Sequence, residues 1–336
     1  MLADIVVDLQ YGDCGKGKVA YNLCRTKKYS HVIRYNGGCN AGHTIYHKGE
    51  KLITHHVPVG VFFGIPSIIG SGCVVDPVRL KKELVDLANA GANTKLLSIA
   101  HNAHLIMEKH LEEDAKDPGN LGTTKRGNGP AYRDKYDRSG FRAEHFDNLP
   151  AATVDLYREL HKTDENVRIL FEGAQGFGLD IDWGDYPYVT SSHCTSGSAI
   201  MNGIPPQAVG DVWGVAKIYE TYVGTKDFHG KGDVFTKIQE VGQEYGATTG
   251  RPRQCNWLNW NQLEKAIALN GVTKLVFNKV DILREVGQWA VINNNEVMEF
   301  DSEANMTSWL KSRLTELALK YGLLTEVIFS DNPDTL

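Results

Sequence analysis

Gly12-Asp13-Cys14-Gly15-Lys16-Gly17-Lys18 follows the apolar run Ile5-Val6-Val7-Asp8-Leu9 and precedes the stretch Val19-Ala20-Tyr21-Asn22-Leu23-Cys24. The run reads as a buried strand, and the stretch after the glycines can open a helix. Strand, glycine-rich turn and helix is the context in which backbone N–H groups and a helix N-terminus cradle phosphate. The spacing matches G-x-x-x-x-G-K, the first part of a P-loop. Val19 stands where that motif usually carries the Ser or Thr that holds Mg²⁺. Asp13, inside the loop, is the natural substitute.

Further apolar runs lie at 31–35, 67–75, 95–100, 168–172, 214–219, 274–278 and 324–329. Helical spacing marks 77–89, with Asp76 as cap and Pro77 in the first turn, and also 257–270 and 304–321. Alternation of strand and helix predicts an α/β fold with a mainly parallel central sheet and helices on both faces. Two hairpins are expected as excursions, one around His47-Lys48-Gly49-Glu50 and one through Asn293-Asn294-Asn295. No repeat or linker composition interrupts the chain, so one domain over 1–336 is expected.

The chain has 336 residues, 42% of them hydrophobic and 23% charged, with a formal net charge of −5. That is an ordinary globular composition, without the basic footprint of a nucleic-acid binder. No run has the length of a transmembrane helix. The N-terminus Met1-Leu2-Ala3-Asp4 shows no signal-peptide pattern. The 6 cysteines are scattered without a C-x-x-C pair, which suits a cytoplasmic protein and no zinc site. His43 and His47 are four apart, but their segment alternates like a strand, which argues against a metal pair.

Gly, Thr, Asn and Arg concentrate in loops around 37–44, 122–130, 172–176, 189–192 and 246–253. Polar loops at strand ends of an open α/β sheet bind ligands. Thr hydroxyls and Arg forks suit phosphate and carboxylate. Asn278-Lys279-Val280-Asp281 follows the strand at 274–278 and matches N-K-x-D, by which GTP-binding proteins read guanine. Its carboxylate can accept from both N1–H and the 2-amino group, a donor pair adenine lacks.

Together these loops resemble the adenylosuccinate synthetase family over most of the chain. Residues 12–18 are similar to its W-G-D-E-G-K-G-K, 40–44 to N-A-G-H-T, and 123–142 to T-T-G-R-G-x-G-P-A-Y-x-D-K…R…G-x-R. Residues 171–182 are similar to F-E-G-A-Q-G…L-D-I-D, 186–192 to Y-P-Y-V-T-S-S, 246–251 to G-A-T-T-G-R, and 279–281 to K-x-D. The chain lacks a segment after Arg142 that longer bacterial members carry, and is closer to the compact archaeal and viral forms.

The resemblance implies a ligase. A nucleoside triphosphate phosphorylates O6 of a 6-oxopurine monophosphate, and the amine of L-aspartate then displaces that phosphate at C6. Asp13 matches the base that takes the N1 proton, and His43 the donor to the oxygens between O6 and the γ-phosphate. Lys16 and Gln175 complete the implied catalytic set. Asn40, Thr124, Gln175, Thr190, Arg251 and Arg138 match monophosphate contacts, with Arg138 reaching a neighbouring subunit's nucleotide in a homodimer. Gly12, Gly15, Lys16, Gly17, Lys18, Gly42, Thr44, Arg253, Lys279 and Asp281 match the triphosphate site. Thr248, Thr249 and Arg251 match the aspartate loop. Asp13 and the carbonyl of Gly42 would hold Mg²⁺.

The chain also departs from the family pattern. Cys14 stands for Glu, Pro252 for Arg, and Tyr222-Val223-Gly224-Thr225-Lys226-Asp227-Phe228 for R-V-G-A-G-P-F beside the sugar. Ser330-Asp331-Asn332-Pro333-Asp334 replaces the usual T-G-P loop near the triphosphate's base. Two acceptors fit this pattern. One is IMP, as in the ordinary enzymes. The other is dGMP, as in the viral 2-aminoadenylosuccinate variant, to which the diverged sugar loop tilts the reading. Asp13, which many viral members lack, weighs for IMP. A GTPase-type switch is the alternative from another class, since Asp211-Val212-Trp213-Gly214 fits D-x-x-G.

Overall fold

Leu2–Asp8 alternates between two cores. Ile5 and Val7 pack into the larger apolar cluster. Val6 packs on the other face, with Val19, Ala20 and Leu23 of the helix Lys16–Thr26. A strand buried on both faces reads as a continuous apolar run, which is why it stands out in the sequence. The computed structural model describes residues 1–116, 122–161, 166–246 and 250–336. Leu2–Asp8 is the fourth strand of a nine-stranded sheet. The order from edge to edge is Glu326–Phe329, Lys274–Asn278, Val209–Lys217, Leu2–Asp8, Arg168–Glu172, His31–Arg34, Ser67–Ile69, Leu97–Ala100 and Ala152–Val154. Every pairing in it is parallel. The fold is α/β, as expected.

Because the strands are parallel, their C-termini share one end of the sheet. Asp8, Arg34, Glu172, Lys217 and Asn278 each end a strand there, and all are buried. Charged groups are seldom so buried unless paired. These form the floor of a polar site.

The expected cap at Asp76 is present, and Ser302 supplies a second that was not expected from the sequence. Asp76 accepts the Val78 and Arg79 N–H groups ahead of Pro77–Asn89, and Ser302 accepts from Asn305 ahead of Glu303–Tyr321. Both expected hairpins form, His43–His47 with Glu50–Thr54 and Trp289–Asn293 with Glu296–Phe300. Asn294 and Asn295 turn the second at φ 52° and 65°, the left-handed pair of a tight hairpin turn.

Three expected elements divide differently. Trp257 lies in the strand Gln254–Asn259, and the helix starts only at Trp260, where the Asn259 side chain caps Gln262 N–H. The run at 67–75 is two strands, Ser67–Ile69 and Val74–Val75, separated where Gly70 N–H donates to the Arg34 carbonyl. The run at 214–219 ends in the central sheet at Lys217. Tyr219–Tyr222 then joins a second, four-stranded sheet beside Gln254–Asn259. Tertiary pairing overrode local apolar continuity in all three.

Candidate active site

The phosphate loop is organised by Asp8. Its buried carboxylate accepts the N–H groups of Gln10, Gly12 and Cys14 at 3.0–3.1 Å, and the Lys16 ammonium at 3.1 Å. Lys16 also donates to the Gln175 carbonyl at 2.5 Å, linking this loop to the one after Arg168–Glu172. Two glycines are required by contact. Gly15 has φ 101° and lies against the Asn278 amide, and a Cβ on Gly17 would come 2.9 Å from Cβ of His43. Gly17 thus lets the helix Lys16–Thr26 approach the strand that carries His43.

His43 is 5% exposed. Its Nδ1 lies 2.5 Å from Glu172 Oε1, and Glu172 also accepts from Arg34 Nη2 and from Val59 N–H, each at 3.0 Å. Arg34 Nη1 lies 3.1 and 3.0 Å from the two ring nitrogens of His43. Burial and the Arg34 cation hold the imidazole down to about 4, so it is neutral at pH 7. The carboxyl of Glu172 stays below its usual range despite burial, held by Arg34 and the His43 hydrogen bond.

Asp13 is held from the other side. Arg253 Nε donates to Asp13 Oδ2 at 2.9 Å, and Arg253 Nη1 to Glu244 at 2.5 Å. Glu244 is fully buried and also accepts from Lys217 Nζ at 2.8 Å and Tyr219 Oη at 2.6 Å. Lys217 and Arg253 outweigh burial and hold its carboxyl at about 2.

One cavity of about 710 Å³ gathers Gly12, Asp13, Lys16, Asn40, Gly42, His43, Thr124, Gln175, Thr190, Arg251 and Arg253, all named from sequence. Gln175 Nε2 donates to Asn40 Oδ1 at 3.0 Å within it. Thr248 and Thr249 lie outside the described residues, whose neighbours Gly246 and Arg251 join by a backbone hydrogen bond of 2.8 Å. Gly15, Gly17, Thr44, Lys18, Lys279 and Asp281 do not line this cavity. Lys18 instead turns to Asn278 Oδ1, Ser330 Oγ and the Asn332 carbonyl at 2.7–2.8 Å, and burial lowers it to about 8. Asn278 in turn donates to the Cys14 carbonyl at 2.7 Å, so the N-K-x-D turn is tied to the phosphate loop. Arg138 lines a different cavity, with Lys135, Arg142 and His104.

Asp8, Arg34, Glu172, Lys217 and Glu244 escaped the sequence reading. A signal existed for three of them, since the apolar runs holding Asp8, Arg34 and Lys217 are each interrupted by that one charged residue. The D-x-x-G match is overturned as a switch motif. Asp211 lies near the N-terminal end of its strand, beside Asp4 and Thr273, at the end of the sheet opposite the phosphate loop.

A parallel sheet with a phosphate loop at its centre, and a cavity whose lining includes Asp13, His43, Lys16, Arg251 and Arg253, defines an α/β enzyme that handles phosphorylated ligands. The model of the family described as Adenylosuccinate synthetase matches residues 5–161 and 144–317. Proteins named adenylosuccinate synthetase from Chlorobium limicola and Chlorobium chlorochromatii are 38% and 39% identical, each match covering 84% of this chain and 77% of theirs. The structure of fully ligated adenylosuccinate synthetase from Plasmodium falciparum superposes with a TM-score of 0.82 at 25% identity, covering 98% of this chain and 97% of that one. Cyanophage S-2L succinoaminodeoxyadenylate synthetase, bound to dGMP and dATP, shares the fold with a TM-score of 0.72 at 24% identity, covering 95% and 99%. This chain belongs to the adenylosuccinate synthetase family, and is a C–N ligase of purine biosynthesis.

Proposed function

We propose that the chain joins L-aspartate to C6 of IMP through a 6-phosphoryl intermediate, at the expense of GTP. The observation that carries this is the convergence of Asp13, His43 and Lys16 on one cavity with the polar groups Asn40, Thr124, Gln175 and Thr190. Asp13 takes the N1 proton, so that electron density moves to O6, and O6 attacks the γ-phosphorus as its bond to the β–γ bridging oxygen breaks and GDP leaves. The aspartate amine then adds at C6, phosphate leaves with the C6–O6 bond, and Arg251 holds a carboxylate of the amino acid. Asp281 reads the guanine of the donor.

Among the described residues no cluster of three or more His, Cys, Asp or Glu side chains is arranged to hold a metal. A single carboxylate suits Mg²⁺ that arrives with substrate phosphates, because Mg²⁺ keeps water and phosphate oxygens as ligands. Asp13 is 32% exposed at the cavity, and with the Gly42 carbonyl it would hold the ion. The ion would supply charge neutralisation at the transferred phosphoryl group.

Support for IMP comes from the presence of Asp13, which the family resemblance implies would crowd a 2-amino group, and from relatives of 38–39% identity named adenylosuccinate synthetase. The second reading, dGMP, draws on the sugar loop. Tyr222 is buried against Tyr11 and Phe228, and Lys226 pairs with Asp185, which also accepts the Tyr11 hydroxyl at 2.6 Å. The cyanophage relative bound to dGMP has this fold. Measurement of kcat/KM for IMP, GMP and dGMP with aspartate under one condition separates them. Displacing a catalytic group by about 1 Å costs ~10²-fold in rate, so IMP should lead by about that factor. Equal or better turnover of dGMP, to the N6-succino-2-amino product, would replace IMP with dGMP and leave the ligase reaction standing. No aspartate-dependent product with any of the three would sink the proposal.

The same reading makes the active form a homodimer, with Arg138 completing the neighbour's site. It is supported by the position of Arg138, exposed and apart from its own chain's cavity. Six free cysteines fit a cytoplasmic setting.

A further inference from the structure

We propose that Glu172 is the positioning residue for His43, fixing Nε2 as the ring nitrogen presented to the reacting oxygens. The proposal rests on the functional reading above, in which His43 donates to those oxygens. Glu172 ends the strand Arg168–Glu172, while His43 begins the hairpin strand His43–His47, so only the fold brings them together. The Glu172 carboxylate is fully buried and is satisfied by three donors: His43, Arg34 and the Val59 N–H.

The geometry separates the roles of the two charged neighbours. A carboxylate is only an acceptor, so the 2.5 Å contact places a hydrogen on Nδ1 of His43. Arg34 Nη1 is almost equally distant from both ring nitrogens. One atom cannot be so in the ring plane, where Cε1 lies between the two nitrogens. The guanidinium therefore lies over the face of the imidazole, and the in-plane lone pair of Nε2 is left for the cavity that His43 lines.

With Nδ1–H held on Glu172, a proton carried by Nε2 faces the cavity and the reacting oxygens, and the Glu172 carboxylate is the counter-charge of that imidazolium. Without Glu172 the ring is free to place its hydrogen on either nitrogen, and the imidazolium loses its counter-charge.

Glu172→Gln, His43→Asn and the double variant are compared in the full-length protein. Glu172→Gln should lower kcat by about 10-fold or more, a fraction of the ~10²–10⁴ a general acid contributes, with KM for the monophosphate little changed. In the His43→Asn background the same substitution should change kcat less than about 2-fold, because the pair acts as a unit. An equal loss in both backgrounds would show that Glu172 acts only by neutralising Arg34, and would overturn the assignment. Should Glu172→Gln fail to fold, Glu172→Asp keeps the charge beside Arg34 while shortening the reach to His43. It should lose kcat with little change in melting temperature, and wild-type kcat in that variant would equally overturn it. An unchanged kcat in His43→Asn alone would instead remove the functional reading on which the assignment rests.

Discussion

Arg253 bridges Asp13 and Glu244, donating Nε–H to the first at 2.9 Å and Nη1–H to the second at 2.5 Å. One partner is partly exposed in the phosphate loop, the other fully buried against Lys217. The arginine is therefore anchored from behind, by a buried carboxylate that does not line the cavity. Its outward contact can be exchanged when a ligand or metal claims Asp13.

Asp13→Asn should abolish turnover and leave the fold intact. The amide cannot take the N1 proton, and it is a poor Mg²⁺ ligand. Arg253 keeps its Glu244 partner, so the loss of stability should stay within about 1 kcal/mol, as for a partly exposed ion pair. Steady-state rates and a thermal melt test this; a folded variant with near wild-type kcat rules out Asp13 as the base.

His43→Asn should reduce kcat by about 10²–10⁴-fold while KM for the monophosphate changes little. A rise in KM with unchanged kcat would assign His43 to binding alone.

The buried imidazole of His43 also predicts a pH dependence of stability. An unfolded His titrates near 6.5, and the folded one only at about 4. Between those values the unfolded chain binds the extra proton. The stability contributed by neutral His43 is thus complete above about pH 6.5 and is lost as pH falls toward 4, by at most ~1.4 kcal/mol per pH unit. Melting curves of wild type and His43→Asn between pH 7 and 4.5 should diverge, with the variant falling less steeply. Parallel curves would mean that His43 is already charged in the folded protein.

Arg251→Leu should raise KM for aspartate at least about 10-fold, since charge-assisted bonds to a carboxylate contribute about 1.5–3 kcal/mol. The expected effect on KM for the monophosphate is smaller. An unchanged aspartate KM places the amino acid elsewhere.

Arg138→Leu mixed with Asp13→Asn should regain partial activity once subunits exchange, because one site of each mixed dimer has both residues intact. Exchange demonstrated by labelled subunits, with no recovery of activity, would confine Arg138 to its own chain.

The phosphate loop, the parallel alternation and both hairpins were legible because each is encoded within a few residues: glycine spacing, apolar runs, caps and asparagine turns. Boundaries failed where pairing partners decide them. Trp257 has helical neighbours in sequence, yet its strand aligns antiparallel to Tyr219–Tyr222. Lys18 illustrates the same limit in the site. The motif aligns it with a phosphate-binding lysine, but Asn278, Ser330 and Asn332 surround its ammonium.

By itself the sequence determined the fold class, the family motifs and most of the residues that line the cavity, since these follow from residue type and local spacing. Only the tertiary structure decided how the reactive groups are held. Glu172 is 129 positions from His43, and Arg253 is 240 from Asp13. Such pairs have no local signature. They form because parallel strands terminate at one buried end of the sheet, where Glu172 and the segments carrying His43, Asp13 and Arg253 converge and each buried charge must find a partner or bear the cost of desolvation.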